Sequence, residues 1–304
     1  MLLSYTRPAD ISWTLDGTGS AFLTSSERLT NGRPNSPTRI QWLSGSQTTS
    51  SVLKLQAQWT PDSPAPDPYS TYQTPVSRFC ALIGVTLPVG TKITAGLLYT
   101  KETRVIQRSD GVRMAVFYFA PGENVDMDSA MEFSIFNDVY GSASIAADSS
   151  FEIGEAWVGP SAEWCIRPTP QFGLDQLSKQ KLSLSGQPFR VARRAIATSQ
   201  FEVTPVIYRH MFGALDVAAH EIRIAQANLG VADLRERLVG YAPAMIVPMA
   251  AEPFTGSTPD PDFINRHAQF GYFSTLGPVV GDPPRFVFSG TFNAPPAWLP
   301  TGSQ

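Results

Sequence analysis

The residues best suited to chemistry in this chain are carboxylates. Glu123, Asp126 and Asp128 fall within six consecutive positions, and Asp260 and Asp262 form a second pair. Hard cations take several carboxylate and carbonyl oxygens, which makes Asp126 and Asp128 candidate calcium ligands. The glycine and distal glutamate of an EF-hand loop are missing, so a solvated acidic turn is the simpler reading. Two facing carboxylates also cleave glycosidic bonds, but their separation is a three-dimensional quantity that chain spacing does not fix. There are three histidines, His210, His220 and His267. A helical zinc pair needs a second ligand three or four residues on, and His220 is followed there by Arg223 and Ile224. No Gly-x-Ser-x-Gly elbow presents a serine nucleophile. Gly17-Thr18-Gly19 lacks the third glycine and the following helix of a dinucleotide site. The expectation is a protein that is not an enzyme and needs no cofactor, calcium at Asp126 and Asp128 being the one option.

Aromatic residues are the second candidate set. Trp59 and Trp157 fall in apolar or alternating runs and are expected in the core, where large aromatics bury most area. Tyr69 and Tyr72 differ, because they follow Pro61-Asp62-Ser63-Pro64-Ala65-Pro66-Asp67-Pro68. Proline supplies no ladder donor, so this stretch reads as a surface loop that exposes both tyrosines. Contact with a neighbouring subunit is the first reading for them, and contact with a glycan the second. Trp298 sits in the stiff, apolar tail Asn293–Pro300 and is a third interface candidate, able to anchor on another chain.

The elements that position these residues read as strands. Ser51–Trp59 repeats Leu53, Leu55, Ala57 and Trp59 at period two, and Ala130–Phe136 alternates likewise, the pattern of half-buried strands. Phe79–Gly90 and Phe151–Pro160 are apolar runs closed by glycine or proline, as expected of strands inside a sandwich. Further strands are expected at Ile11–Leu15, Ala21–Leu23, Lys92–Tyr99, Arg113–Phe119, Phe201–Tyr208, Pro243–Met249, Gln269–Phe273 and Arg285–Phe292. Helical spacing of Leu215, Ala218, Ala219, Ile222, Ala225 and Leu229 predicts one helical region over 215–239.

At 304 residues the length favours two domains. The fold class is mainly β: an N-terminal jelly-roll β-sandwich over 1–167, a connector over 168–186, and a β-rich α+β module over 187–292. A Pro-rich tail, 293–304, follows. Leu29-Thr30-Asn31-Gly32-Arg33-Pro34 with Trp42, Val52–Leu55, Ala81–Pro88 and Ile153–Gly159 together resemble the galactose-binding-like, discoidin-type jelly roll of many phage virion proteins. The last third, with its strands, helical region and Pro243–Met249, resembles the small β-rich modules of phage tail and baseplate proteins, distal tail proteins among them. This resemblance implies a structural component of a bacteriophage virion at the tail tip or baseplate. Such a component would be made in the host bacterial cytoplasm, form a symmetric ring, and contact copies of itself and other tail proteins. A carbohydrate-binding module gripping a host glycan is the alternative.

Composition closes other classes. Charged residues make up 16%, and the net charge of -3 shows no basic stripe to displace counterions from phosphates, so nucleic acid is not an expected partner. No stretch approaches the roughly 20 apolar residues that span a bilayer, and Met1–Arg7 lacks the apolar core of a secretion signal. Cys80 and Cys165 lie in or beside apolar runs and are expected as buried thiols.

Overall fold

Phe79 to Ile83 is apolar at every position because both faces of that strand are buried. Cys80 and Leu82 enter one core, while Phe79, Ala81 and Ile83 enter another. A strand covered on both sides loses the polar alternation of a half-exposed one. The computed structural model describes residues 1–4, 11–16, 20–42, 51–59, 78–96, 100–108, 111–119, 131–137, 145–146, 148–163, 171–175, 179–182, 185, 187–191, 196–206, 238, 242–247, 254–255, 258–278, 280–281 and 286–294.

The strands of the first half begin with β1 (Leu2–Ser4), β2 (Ile11–Asp16), β3 (Ala21–Phe22), β4 (Thr38–Gln41), β5 (Ser51–Trp59) and β6 (Arg78–Ile83). Next come β7 (Lys92–Ala95), β8 (Lys101–Arg104), β9 (Ile106–Gln107), β10 (Arg113–Phe119), β11 (Glu132–Asn137), β12 (Ser150–Ile153) and β13 (Glu155–Glu163). The second half holds β14 (Gln171–Asp175), β15 (Lys179–Leu182), β16 (Pro188–Val191), β17 (Ile196–Val206) and β18 (Pro243–Val247). It closes with β19 (Phe254–Thr255), β20 (Thr258–Pro259), the helix α1 (Pro261–His267), β21 (Gln269–Leu276) and β22 (Phe286–Ala294).

The chain is mainly β, and its antiparallel sheets include a curled half-barrel. Ten strands form one sheet in the order β14-β17-β22-β21-β18-β1-β13-β6-β10-β9. Five more form a second sheet, β2-β5-β11-β7-β8. The second sheet lies over one end of the first in a sandwich-like arrangement. Trp13, Leu55, Phe133 and Ile135 from one side meet Leu82, Phe117 and Val158 from the other. Stacking of Trp13 on Phe133, centroids 5.7 Å apart, fixes the middle of this core.

Strand β1 is three residues long and sits at the centre of the ten-stranded sheet. Leu2 stands opposite Glu163 of β13 on one side and Val247 of β18 on the other. It thereby joins strands from before residue 168 to strands from beyond it. Leu3 packs into the core of the second half with Ile246 and Phe292, and Leu2 into the core on the opposite face with Trp157 and Phe270. Ser4 accepts a hydrogen bond from the Trp157 indole Nε1 at 2.8 Å, both groups being fully buried.

Several sequence expectations meet the structure at other boundaries. The strand from Phe79 stops at Ile83, because Gly84 takes φ 65° and turns the chain, although Val85 and Leu87 stay buried. The run from Phe151 is two strands, β12 and β13, broken at Gly154, where an added Cβ would meet the Pro34 backbone. Ala21–Phe22 pairs with β4 rather than with the preceding strand. Within 168–186, the span expected as a connector, Gln171–Asp175 and Lys179–Leu182 are paired strands. The helical region expected over 215–239 lies outside the described residues except for Leu238, a helical residue fully buried in the second-half core.

The described helix, α1, covers the face of β10 that the five-stranded sheet leaves open. Pro261 starts it, Asp260 caps it by accepting from the Asp262 N–H at 3.0 Å, and Arg266 and His267 sit in its last turn. Those are the residue types that each helix end favours. Its buried Asn265 accepts from the Val116 N–H at 2.9 Å and donates to the Arg104 carbonyl at 2.8 Å. Lys101 Nζ donates to the Tyr118 carbonyl at 2.8 Å. Side chains therefore satisfy backbone groups along β10 beyond its short pairing with β9.

Candidate functional site

One end of the sandwich gathers the strand ends that flank the sequence candidates. Trp59, the last residue of β5, pairs with Ile11, and Ala57 donates its N–H to the Met131 carbonyl at 2.8 Å. In the facing sheet Arg78, which opens β6, stands opposite Phe119, which closes β10. The strand ends that flank residues 60–77 and 120–130 therefore lie at the same end of the two sheets. Tyr69 and Tyr72 belong to the first and Asp126 and Asp128 to the second. All four, and Trp298 of the tail, lie outside the described residues. What the described residues contribute is the juxtaposition of the strand ends that bracket the two loops.

Beside that end, the outer face of the five-stranded sheet carries a polar cluster. Period-two alternation sends Phe133 and Ile135 inward and Glu132 and Ser134 outward, opposite Gln56 and Lys54 of β5. Glu132 is nonetheless only 7% exposed. Its Oε2 accepts from Gln56 Nε2 at 2.9 Å and from Lys54 Nζ at 3.3 Å, and its Oε1 accepts from Ser134 Oγ at 2.7 Å. Lys54 Nζ also lies 3.2 Å from Oε1. Burial alone would raise the Glu132 carboxyl, but the hydrogen bonds from Gln56, Ser134 and Lys54, with the Lys54 charge, outweigh it and hold its pKa below the usual value. The carboxylate is thus a fixed acceptor in a row of donors. Farther along the face Lys92 bonds Glu102 at 2.8 Å and lies 5.5 Å from the centre of the Phe136 ring. Donors, acceptors and one ring on a sheet face can hold a polar ligand by hydrogen bonding.

A second polar region lies where the Leu29–Pro34 loop meets the start of β13. The Gly32 N–H, at φ 71°, donates to Glu155 Oε2 at 2.9 Å, and Glu155 is fully buried. Two stretches singled out in the sequence are here in direct contact. Nearby, Glu152 stands opposite Arg39 across the β12–β4 pair. Burial raises the Glu152 carboxyl, the Arg39 charge working against it, and its buried Oε2 has no hydrogen-bond partner among the described residues.

The remaining candidates have structural places. Asp260 is the cap of α1, and its partner Asp262 supplies the capped N–H. His267 stacks on Phe263 with centroids 4.2 Å apart, and burial, then Arg108 and Arg266, push its pKa down. Cys80 is a buried thiol 3.9 Å from the Met131 sulfur; Cys165 lies outside the described residues. Trp13, Trp42 and Trp157 are all buried. Among the described residues no three His, Cys, Asp or Glu side chains come together in a metal-ligating group, and no helix is long and apolar enough to cross a membrane.

Sequence reading missed two of these features. Glu132 carried the signal of period-two alternation, which placed it outward, but two of its three donors, Gln56 and Lys54, come from cross-strand register. Asn265 lies in a seven-residue helix too short for a periodic pattern. Comparison of the chain with protein-family models, with curated proteins and with solved structures gives no match.

Proposed function

We propose that this protein works by shape and contact rather than by catalysis, as a structural component of a bacteriophage virion at the tail tip or baseplate that assembles with copies of itself. The observation that carries the assembly reading is the continuity of the ten-stranded sheet through Leu2–Ser4. A ring needs each subunit to hold its two contact surfaces at a fixed angle, and a single hydrogen-bonded sheet across both halves serves that need. The virion setting, and the jelly-roll description of the first half, rest on the sequence resemblance. Mass measured by light scattering across a concentration series tests the assembly reading. A discrete oligomer is expected, and a monomer at every concentration counts against self-assembly.

The polar face around Glu132 favours a second reading, a carbohydrate-binding module. Its fixed carboxylate, amide, hydroxyl and ammonium groups match the donors and acceptors of a sugar. A glycan array probed with the wild type and with Glu132→Gln and Lys54→Ala tests it. Glycan binding lost in both variants supports this reading, and no binding by the wild type removes it.

A further inference from the structure

The Leu29–Pro34 loop holds the chain's one Asn-Gly pair, Asn31-Gly32, and seats it on a buried carboxyl group. A short 3-10 helix, Ser26–Thr30, ends at Asn31, and Gly32 follows at φ 71°, a conformation that glycine adopts without steric cost. As backbone this is an ordinary way to end a helix. The chemistry of the pair is less ordinary. An asparagine side-chain amide is open to attack by the backbone nitrogen of the next residue, and a glycine there puts no side chain in the way. Asn31 is exposed to solvent.

Attack joins the Gly32 nitrogen to the Asn31 Cγ in a five-membered succinimide. The bond from Cγ to the side-chain nitrogen breaks, and that nitrogen leaves as ammonia with the proton given up by the Gly32 amide. Water then opens the ring at one of its two carbonyls. Cleavage at Cγ restores the normal backbone with aspartate at position 31, and cleavage at the main-chain carbonyl leaves isoaspartate.

The pair is half prepared for this reaction and half restrained. Asn31 Oδ1 accepts from the Arg33 N–H at 2.7 Å, which draws charge from the amide carbon and steadies an oxyanion formed there. The nucleophile, however, is turned away. At an Asn31 ψ of -1° the Gly32 nitrogen eclipses the Asn31 nitrogen, a third of a turn from the Cβ side that ring closure requires. Its N–H is held there by Glu155 Oε2 at 2.9 Å, on a fully buried residue of β13. The loop is anchored on both flanks as well. Leu29 is fully buried in the sandwich core, and the Pro34 backbone lies so close to Gly154 that an added Cβ would meet it. Rotation about the Asn31 ψ therefore breaks the bond to Glu155 and works against both anchors.

We propose that Asn31-Gly32 is a deamidation site whose rate is set by the contact of Gly32 with Glu155. While that contact holds, the asparagine persists; when the loop lifts from β13, it converts to aspartate and isoaspartate. Conversion runs one way, because the ammonia is lost to solvent. Isoaspartate adds one carbon to the main chain before Gly32 and so moves the N–H off Glu155. Each opening that lasts long enough to react thus leaves a permanent mark on the loop. This device goes beyond the assembly reading and does not depend on it.

The test incubates the wild type, Glu155→Ala and Gly154→Ala at mildly alkaline pH, well below their melting temperatures, beside wild type held unfolded in urea. Proteolysis and mass spectrometry read the mass gained when an amide becomes an acid, and fragmentation separates Asn31 from Asn35. Native wild type is expected to convert at Asn31 at least about tenfold more slowly than the unfolded chain, and Glu155→Ala about tenfold faster than native wild type. Asn35, in the same stretch, is expected to change little. If Glu155→Ala fails to fold, Gly154→Ala takes its place, since it displaces the Pro34 flank and keeps the carboxyl group; faster conversion at Asn31 is again expected. Conversion as fast in native wild type as in urea, or a folded Glu155→Ala as slow as wild type, overturns the proposal. So does an equal acceleration at Asn35, or an unfolded chain that does not convert at Asn31.

Discussion

Two carboxylates of this protein respond to pH in opposite directions. Glu132 has its pKa held below the ordinary value of 4.5, so it contributes stability that is present above that value and lost as pH falls through the lower, folded-state value. Glu152 is raised above 4.5, so its burial costs stability as pH rises through the range just above 4.5. Chemical denaturation across pH is expected to show Glu132→Gln flattening the acid limb and Glu152→Gln removing the loss above it. Ser4 belongs at this scale too. Ser4→Ala leaves the buried Trp157 N–H without its acceptor and is expected to cost about 1–3 kcal/mol, read from the urea midpoint. Trp157 was legible as a core residue from its apolar run. Its partner was not, because Ser4 is 153 residues away and a serine in a short polar-apolar segment carries no sign of burial.

Elements were legible where burial is one-sided. Alternation at Ser51–Trp59 and Ala130–Phe136 places strands close to where they are found, since a half-buried strand writes its face into every second residue. The doubly buried runs were read as strands but with the wrong ends, because apolarity continues past Ile83 while the backbone turns at Gly84. Helix α1 was read as an acidic pair, its Pro-Asp-Pro-Asp start looking like a loop. It nevertheless protects a strand. Asn265→Ala is expected to leave the Val116 N–H and Arg104 carbonyl unpaired, to lower stability by about 1–3 kcal/mol, and to speed hydrogen exchange at the Val116 amide more than at the β6-paired amides. Gly154→Ala tests another close approach. Its Cβ would meet the Pro34 backbone, so the Leu29–Pro34 loop must shift, and the Gly32 bond to Glu155 is expected to weaken with a drop in melting temperature.

For the whole molecule the decisive element is one of the shortest, three residues long. Pairing of β1 with both β13 and β18 couples the two halves, and nothing in Leu2-Leu3-Ser4 announces that role, because strand order is a long-range property that local pattern does not encode. Leu3→Asp places a charge in the second-half core beside Ile246 and is expected to split a single calorimetric transition into two, whereas an exposed substitution such as Glu102→Gln leaves one. The cores themselves were better anticipated. Trp157, Phe79 and Phe133, among the largest fully buried side chains, are aromatic residues in apolar or alternating runs, whereas Trp42, equally buried, follows a stretch that reads as an irregular loop.

That central strand also sets a schedule. Leu2 must wait for Glu163 before one edge is paired and for Val247 before the other is. During synthesis at about 5–20 residues per second, β1 therefore stays unpaired for roughly 10 s or more after it is made, with Leu2 and Leu3 uncovered. Closure of the ten-stranded sheet is a late event after translation of Val247, and so high a contact order makes it slow. The sandwich core around Leu55 and Phe133 needs neither β1 nor β18 and has time to form first, leaving β13 with an edge that β1 later fills.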